Sequence, residues 1–87
     1  MMNIQDQLKN YIVSQFLFEH DQQSLDPDDD LLNQGIVDSM GVLQLVNYIE
    51  ETFGIRVSDE EIIPENFRSL NTLTNLVRQK IEARQVV

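Results

Sequence analysis

A serine follows an aspartate in GIVDSMGVLQLV, residues 35–46, at the point where an amphipathic pattern begins. A helix N-terminus carries unpaired backbone N–H groups and a partial positive charge, and both favour an anionic group such as a phosphate ester. Ser39 is expected to be exposed there, so that a second enzyme could esterify its hydroxyl. The structural alternative is that Ser39 is only the N-cap and accepts a backbone N–H, with Asp38 stabilising the same helix end.

The composition excludes most other reactive chemistries. The chain has no cysteine, which removes disulfides, thiolate metal sites and cysteine nucleophiles. His20 is the only imidazole and Ser39 lies outside a Gly-x-Ser-x-Gly elbow, so no hydrolase triad is indicated. The acidic run at residues 26–30 does not fit a calcium loop, because its sixth and twelfth positions hold Leu31 and Val37 instead of glycine and glutamate. We therefore expect no catalytic residue and no metal site.

The charge balance limits the classes of partner that the protein could bind. Fifteen acidic residues against six basic ones give a formal net charge of −9. This field repels the phosphates of a nucleic acid and attracts basic protein surfaces. No apolar run approaches the roughly 20 residues that span a membrane, and the N-terminus lacks the basic and apolar regions of a signal peptide. We expect a cytoplasmic protein that is a monomer.

Three amphipathic stretches predict the longer helices that would position Ser39. The first runs over residues 3–18 with Asn3 as its N-cap, the second over residues 39–53 with Gly54 ending it, and the last starts near Ser69. Each helix is expected to bury one face, and the C-terminal half of the first is expected to be covered on more than one, since Val13 and Leu17 lie opposite its main apolar side. These faces consist of Ile4, Leu8, Tyr11 and Ile12, then Val42, Leu45, Val46, Ile49 and Phe53, then Leu70, Leu73, Val77 and Ile81.

The connections complete the predicted fold. Residues 20–38 form a long polar connection of a length that is uncommon and often functional. Its apolar residues are expected to anchor it on the core; they are Leu25, Leu31, Leu32, Ile36 and Val37. Residues 58–61 fit a capping box for a short helix that ends at Ile63, where Pro64 limits it. Three longer helices and one short helix predict an all-α, small four-helix bundle with a single domain over residues 1–87.

Several motifs occur together along the whole chain. They are Asp38-Ser39-Met40 at the start of the second helix, EETFGI at residues 50–55, the acidic segment 58–63, and NFRSLNTLTNLV at residues 66–77. In this order and spacing they resemble the acyl carrier and peptidyl carrier protein family, which implies an acyl-carrier-like four-helix bundle.

The resemblance also implies a mechanism. Ser39 would receive 4′-phosphopantetheine from coenzyme A through a phosphopantetheinyl transferase, and Asp38 would help this transferase dock or hold magnesium. The thiol of the arm would carry an acyl or aminoacyl group as a thioester, loaded by a ligase and used by downstream synthase or transferase enzymes. The protein itself would not be an enzyme. Its docking surface for partners would comprise Met40, Leu43, Gln44, Asn47, Glu50, Glu51, Asp59, Glu60 and Glu61.

The resemblance leaves the cargo open. Fatty-acid carriers usually have acids early on the second helix, whereas Gly41, Gln44 and Asn47 are uncharged here. The Asp-Ser-Met motif and FGIRV at residues 53–57 look closer to discrete carriers for amino acids, D-alanine included, or for specialised metabolites such as polyketides and nonribosomal peptides. A different class is also open, namely an unmodified helical adaptor whose Met40–Leu43 patch binds a partner helix.

Overall fold

The computed structural model describes residues 3–16 and 25–85. Its first helix begins at a side-chain cap. Helix α1 spans Ile4–Phe16, and the Asp6 N–H donates to Asn3 Oδ1 at 2.8 Å, which confirms the predicted cap. The last two residues of the predicted helix, 17 and 18, lie outside the described residues, as does His20.

The second helix agrees with its prediction at both ends. Helix α2 spans Ser39–Phe53, and Gly54 follows it with a φ of 66°. This left-handed conformation suits glycine, and it lets the Gly54 N–H donate to Glu50 O at 3.0 Å. On the predicted buried face, Leu45 and Ile49 are fully buried, so this face lies on the core.

The short helix after α2 differs from its prediction. The capping box at Ser58 is present, but it starts only a 3₁₀ turn, Asp59–Glu61. Pro64 does not merely stop this turn; it occupies the first position of a separate helical turn, α3, Pro64–Phe67. Proline suits that position because its fixed φ is helical and its missing N–H would have no partner there. The prediction of one helix over residues 58–63 is therefore wrong in detail.

The last helix is the element against which the others pack. Helix α4 spans Leu70–Gln85 and contacts α1, α2 and α3. Its start is capped reciprocally, since Ser69 Oγ accepts the Thr72 N–H at 3.2 Å and Thr72 Oγ1 accepts the Ser69 N–H at 3.0 Å. The described residues contain no strand, and the all-α bundle is confirmed. None of the described helices has the length and apolar character needed to cross a membrane.

The connection before α2 lies on the core as predicted. Leu25, Leu31 and Val37 are buried, while its other two apolar residues are half-buried. The Leu31 N–H donates to Arg68 O at 2.6 Å, and the Asn71 N–H donates to Pro27 O at 3.2 Å. These bonds join the connection to the segment between α3 and α4, and so fix the direction from which the chain enters α2.

Candidate functional site

The N-terminus of α2 is capped by Asp38 and not by Ser39. Asp38 has extended backbone angles, φ −101° and ψ −171°, and its Oδ1 accepts the Gly41 N–H at 2.7 Å. Its carbonyl oxygen also accepts the Val42 N–H at 2.9 Å, which is the first bond of the helix. The interpretation of Ser39 as the N-cap is therefore wrong; Ser39 occupies the first helical position.

This shift of one residue leaves the serine hydroxyl available. Ser39 is exposed, and its hydroxyl forms no hydrogen bond with any described residue. Asp38 already accepts the Gly41 N–H, so the serine oxygen does not cap the helix, and its reaction breaks no capping hydrogen bond. The hydroxyl can thus accept a substituent without loss of the helix cap.

A cleft opens beside this serine. It has a volume of about 640 Å³, and Asp38 and Ser39 form part of its rim. The other lining residues are all apolar: Leu32, Val37, Val42, Leu43, Ile62, Ile63, Pro64 and Phe67. A group attached to Ser39 would therefore lie next to an apolar surface built from the long connection, α2 and the Ile62–Phe67 region.

The position of this helix end depends on a close approach at Gly41. A Cβ atom at this position would lie 2.9 Å from Phe16 Cε1 and 3.0 Å from Val37 Cγ1. Both distances are too short for ordinary contacts, so only glycine lets α2 pack this closely on α1 and the connection. In the sequence, Gly41 stands out only as an uncharged position, and its spacing does not predict this packing.

Three large apolar side chains near Ser39 in sequence or on the same cleft remain exposed. Met40 is 67% exposed, Leu43 58% and Ile63 40%. Gln44 and Asn47, also predicted for the docking surface, are exposed on the same helix. Sequence reasoning missed Ile63. The available signal was Pro64, because the residue before a proline favours an extended backbone, and Ile63 is extended here instead of ending a helix.

The predicted acidic docking residues fall into two groups. Glu51, Asp59 and Glu60 are exposed. Glu50 and Glu61 are half-buried and bind residues of this chain: Glu50 Oε2 accepts the Val57 N–H at 2.9 Å, and Glu61 accepts three bonds, described next. Sequence spacing gave no indication of this difference.

Glu61 joins the 3₁₀ turn to α4. Its Oε1 lies 2.8 Å from Lys80 Nζ and also accepts the Ser58 N–H at 2.9 Å and the Ser58 hydroxyl at 3.1 Å. The hydrogen bond from Lys80, followed by that from the Ser58 backbone, lowers the pKa of the Glu61 carboxyl below its ordinary value. Glu61 is therefore an ionised residue with an internal partner.

The other acidic cluster has a structural use. In residues 26–30, Asp26 Oδ1 accepts the Asp28 N–H at 2.9 Å and Asp30 Oδ1 accepts the Asn33 N–H at 2.9 Å. Such bonds stabilise turns of the connection. No group of three or more His, Asp or Glu side chains within residues 3–16 and 25–83 is arranged to hold a metal ion.

Comparison with known proteins agrees with this geometry. The family model described as "Phosphopantetheine attachment site" matches residues 6–77. The chain is 32% identical to a D-alanyl carrier protein of Streptococcus suis over 94% of this chain and 100% of the relative. It is 29% identical to the probable acyl carrier protein PigG of a Serratia species over 87% of this chain and 86% of that protein.

A solved structure gives the same fold. One chain in a structure described as "Crystal structure of FAD-dependent dehydrogenase" superposes with a TM-score of 0.71 at 33% identity, covering 80% of this chain and 97% of that chain. The acyl carrier and D-alanyl carrier relatives are named as carriers, which supports a carrier over both an enzyme and the unmodified adaptor. This protein belongs to the phosphopantetheine attachment family and is a carrier that bears a covalent 4′-phosphopantetheine group.

Proposed function

We propose that Ser39 is the residue to which the arm is attached. The observation that carries this proposal is the exposed Ser39 hydroxyl, which lies on the rim of an apolar cleft while Asp38 caps the helix in its place. Ser39 Oγ attacks the β-phosphorus of coenzyme A in the active site of a transferase. The P–O bond to the nucleotide breaks, 3′,5′-ADP leaves, and the serine proton passes to a base of the transferase. The phosphodiester is then stabilised by the positive end of α2.

Intact mass spectrometry tests this assignment. Coexpression with a phosphopantetheinyl transferase is expected to add about 340 Da, the mass of one arm. Ser39→Ala is expected to abolish this addition, whereas Ser58→Ala, which changes another exposed serine, leaves it intact. An arm that is still added to Ser39→Ala would assign the attachment to another residue.

The cargo is proposed to be an acyl or aminoacyl thioester on the thiol of the arm. One relative carries D-alanine by name and the other is named an acyl carrier, so both types remain compatible. The uncharged first turns of α2 favour a discrete carrier for amino acids or specialised metabolites over a fatty-acid carrier. Intact mass of the protein purified from its native host decides between them: a 71 Da increment beyond the arm, set by the formula of an alanyl group, indicates alanine.

Partner enzymes are proposed to meet α2 and the 3₁₀ turn. The transferase, a loading ligase and a downstream synthase or transferase would each have to reach Ser39. Asp38 is the charged side chain next to the serine, but α2 has no charged residue from Ser39 to Ile49, so the contacts that α2 itself offers near Ser39 are apolar or neutral. The exposed side chains of Met40, Leu43 and Ile63 would supply it, while Gln44, Asn47 and the acids Glu50, Glu51, Asp59, Glu60 and Glu61 complete the predicted surface.

Steady-state kinetics of arm transfer tests this docking surface. Leu43→Gln is expected to lower kcat/KM for the transferase by about tenfold, as removal of a central apolar contact does. Asn75→Ala, at an exposed neutral position of α4 outside the proposed docking surface, is the control and is expected to change kcat/KM by less than about twofold. Equal rates for both variants would remove Leu43 from the docking surface.

A flavin-dependent dehydrogenase is proposed as a further partner class. The solved structure that contains the similar chain bears the name of such an enzyme. A thioester suits this partner because its carbonyl acidifies the neighbouring C–H bond, and oxidation would transfer two hydrogens from the tethered acyl chain to FAD. Single-turnover bleaching of the flavin on mixing with the loaded carrier is the expected signal.

A cytoplasmic location and a monomeric state of this protein stay predictions.

A further inference from the structure

One wall of the cleft consists of a very short segment. Ile62, Ile63 and Pro64 line the cleft opposite Val42 and Leu43 of α2. Ile62 and Ile63 lie between the 3₁₀ turn and α3, with Ile63 extended, and Pro64 is the first residue of α3. A segment of this kind has few bonds of its own, so its position depends on how its two ends are held.

Glu61 holds the first end. Its side chain binds Lys80 of α4 and Ser58, as described above, and its carbonyl oxygen accepts Asn66 Nδ2 at 2.8 Å. The second end is held by the Thr72 hydroxyl, which donates to Asn66 O at 3.1 Å. Among these contacts, only the one from Lys80 reaches the turn from the far part of α4, 19 residues along the chain.

The ion pair between Glu61 and Lys80 is strong enough to affect the position of this segment. The Glu61 and Lys80 side chains are 28% and 27% exposed, so solvent screens their attraction only in part. Ion pairs of this kind contribute modestly to the stability of a whole protein. Besides the contacts at its ends, this segment has two backbone hydrogen bonds, from the Ile62 N–H to Asp59 O at 3.2 Å and from the Asn66 N–H to Ile63 O at 3.0 Å. With so few bonds, a modest contribution from the ion pair is sufficient to shift its position.

We propose that Glu61 and Lys80 are a positioning pair, which holds Ile62 and Ile63 against α2 and thereby sets how well the cleft shields a thioester tethered to Ser39. The proposal rests on the assignment of the arm to Ser39. It gives Glu61, predicted to meet partners, and Lys80, to which the sequence assigned no site, a shared role in protecting the cargo. Partners that displace Ile63 would then expose the thioester where it is to react.

The unmodified protein provides the first test. Glu61→Gln and Lys80→Met keep the length of each side chain and the apolar stem of the lysine while removing the ion pair. We expect both variants to shift the methyl NMR signals of Ile62 and Ile63. The matched controls Glu60→Gln and Arg78→Met change the same charges at exposed positions and are expected to leave these signals in place. Unshifted methyl signals in both ion-pair variants would overturn the proposal.

The loaded protein provides the second test. The transferase attaches a hexanoyl-bearing arm from hexanoyl-coenzyme A. Hydroxylamine then cleaves the thioester at a temperature below the melting temperature of every variant, and mass spectrometry measures the rate of cleavage. Loss of an ion pair of this strength is expected to speed cleavage about two- to fivefold. The double variant should cleave no faster than Lys80→Met, because either single change already removes the ion pair.

The outcomes separate this proposal from the assignment of Ser39. Cleavage at the wild-type rate in both single variants, or additive effects in the double variant, would contradict the positioning role while the arm itself remains in place. If no hexanoyl arm can be attached at all, the assignment of Ser39 fails, and the methyl signals of the unmodified protein still decide whether the ion pair holds the wall.

Discussion

At the scale of single residues, the neighbours Asp38 and Ser39 have separate roles, one as the helix cap and one as the exposed hydroxyl. Both residue types cap helices well, so their order in the sequence leaves open which of them is the cap. The structure assigns the cap to Asp38 and places Ser39 one position later, with an exposed hydroxyl. The consequence is that the aspartate can be tested for stability and the serine for chemistry, each without disturbing the other.

Substitution of Asp38 separates its cap from its charge. Asp38→Ala is expected to lower the free energy of unfolding by about 0.5–2 kcal/mol, the usual cost of a lost N-cap. Asp38→Asn keeps an oxygen that can accept the Gly41 N–H at nearly the same place, so urea unfolding should show a smaller loss. If arm transfer is slow in the asparagine variant although it is stable, the charge of Asp38 serves the transferase or its magnesium. Equal urea midpoints for wild type and Asp38→Ala would contradict the capping role.

At the scale of elements, the site depends on how α2 and the 3₁₀ turn are attached to the rest. Helix α2 is drawn close to α1 at Gly41, and farther along Tyr48 stacks on Tyr11 with ring centroids 4.0 Å apart. The 3₁₀ turn is held by Glu50 from α2 at its start and by Lys80 from α4 at its end. Two of the acids predicted to meet partners thus stabilise the elements on which the remaining docking residues lie.

The packing of α2 on α1 leads to a prediction at Gly41. Gly41→Ala adds a Cβ atom 2.9 Å from the Phe16 ring, and overpacking costs about 1–3 kcal/mol. Alanine is favoured over glycine inside a helix by about 1 kcal/mol, so we expect a smaller net decrease in the free energy of unfolding, measured by urea denaturation. Phe16→Leu in the same chain should recover part of the loss. A Gly41→Ala variant more stable than wild type would show that the close approach is not a constraint.

The ionisation of Glu61 predicts a dependence on pH. Its pKa in the folded protein is below the ordinary value of 4.5, so the ionised carboxylate stabilises the folded state above that pH. This contribution is lost as the pH falls through the lowered pKa of the folded state. Glu61→Gln should therefore be less stable than wild type at pH 7, and the difference should narrow in acid, as measured by thermal unfolding across a pH series. A difference that stays constant from neutral to acidic pH would argue against the ion pair, and Glu60→Gln is the control.

At the scale of the whole molecule, charge and apolar surface are distributed unevenly. The chain carries a net charge of −9, yet α2 has no charged residue from Ser39 to Ile49. The large apolar side chains most exposed in the described residues, Met40, Leu43 and Ile63, all lie near Ser39. Since a negative field attracts basic surfaces from a distance, we expect the acidic remainder to steer partners and the neutral region to serve close contact.

The long connection is predicted to be part of the folded core. Leu31 is fully buried, and Leu31→Ala is expected to lower the free energy of unfolding by about 2–5 kcal/mol, the range for a leucine truncated in a core. Leu32→Ala, at the half-buried neighbour on the cleft, should cost clearly less. Urea unfolding monitored by circular dichroism measures both. Similar costs for the two variants would mean that the connection is not anchored through Leu31.

The sequence by itself determined the features that depend on neighbours within about four residues. The bounds of α2, its end at Gly54, the cap at Asn3, the box at Ser58 and the serine beside the helix start follow from local hydrogen bonding and from the 3.6-residue period.

Only the tertiary structure decided the features that join distant parts of the chain. These are the close approach at Gly41, the ion pair of Glu61 with Lys80, the exposure of Ile63 and the cleft beside Ser39. Each depends on the distance between residues that lie on different elements. That distance is set by the packing of the whole core, and no local pattern records it.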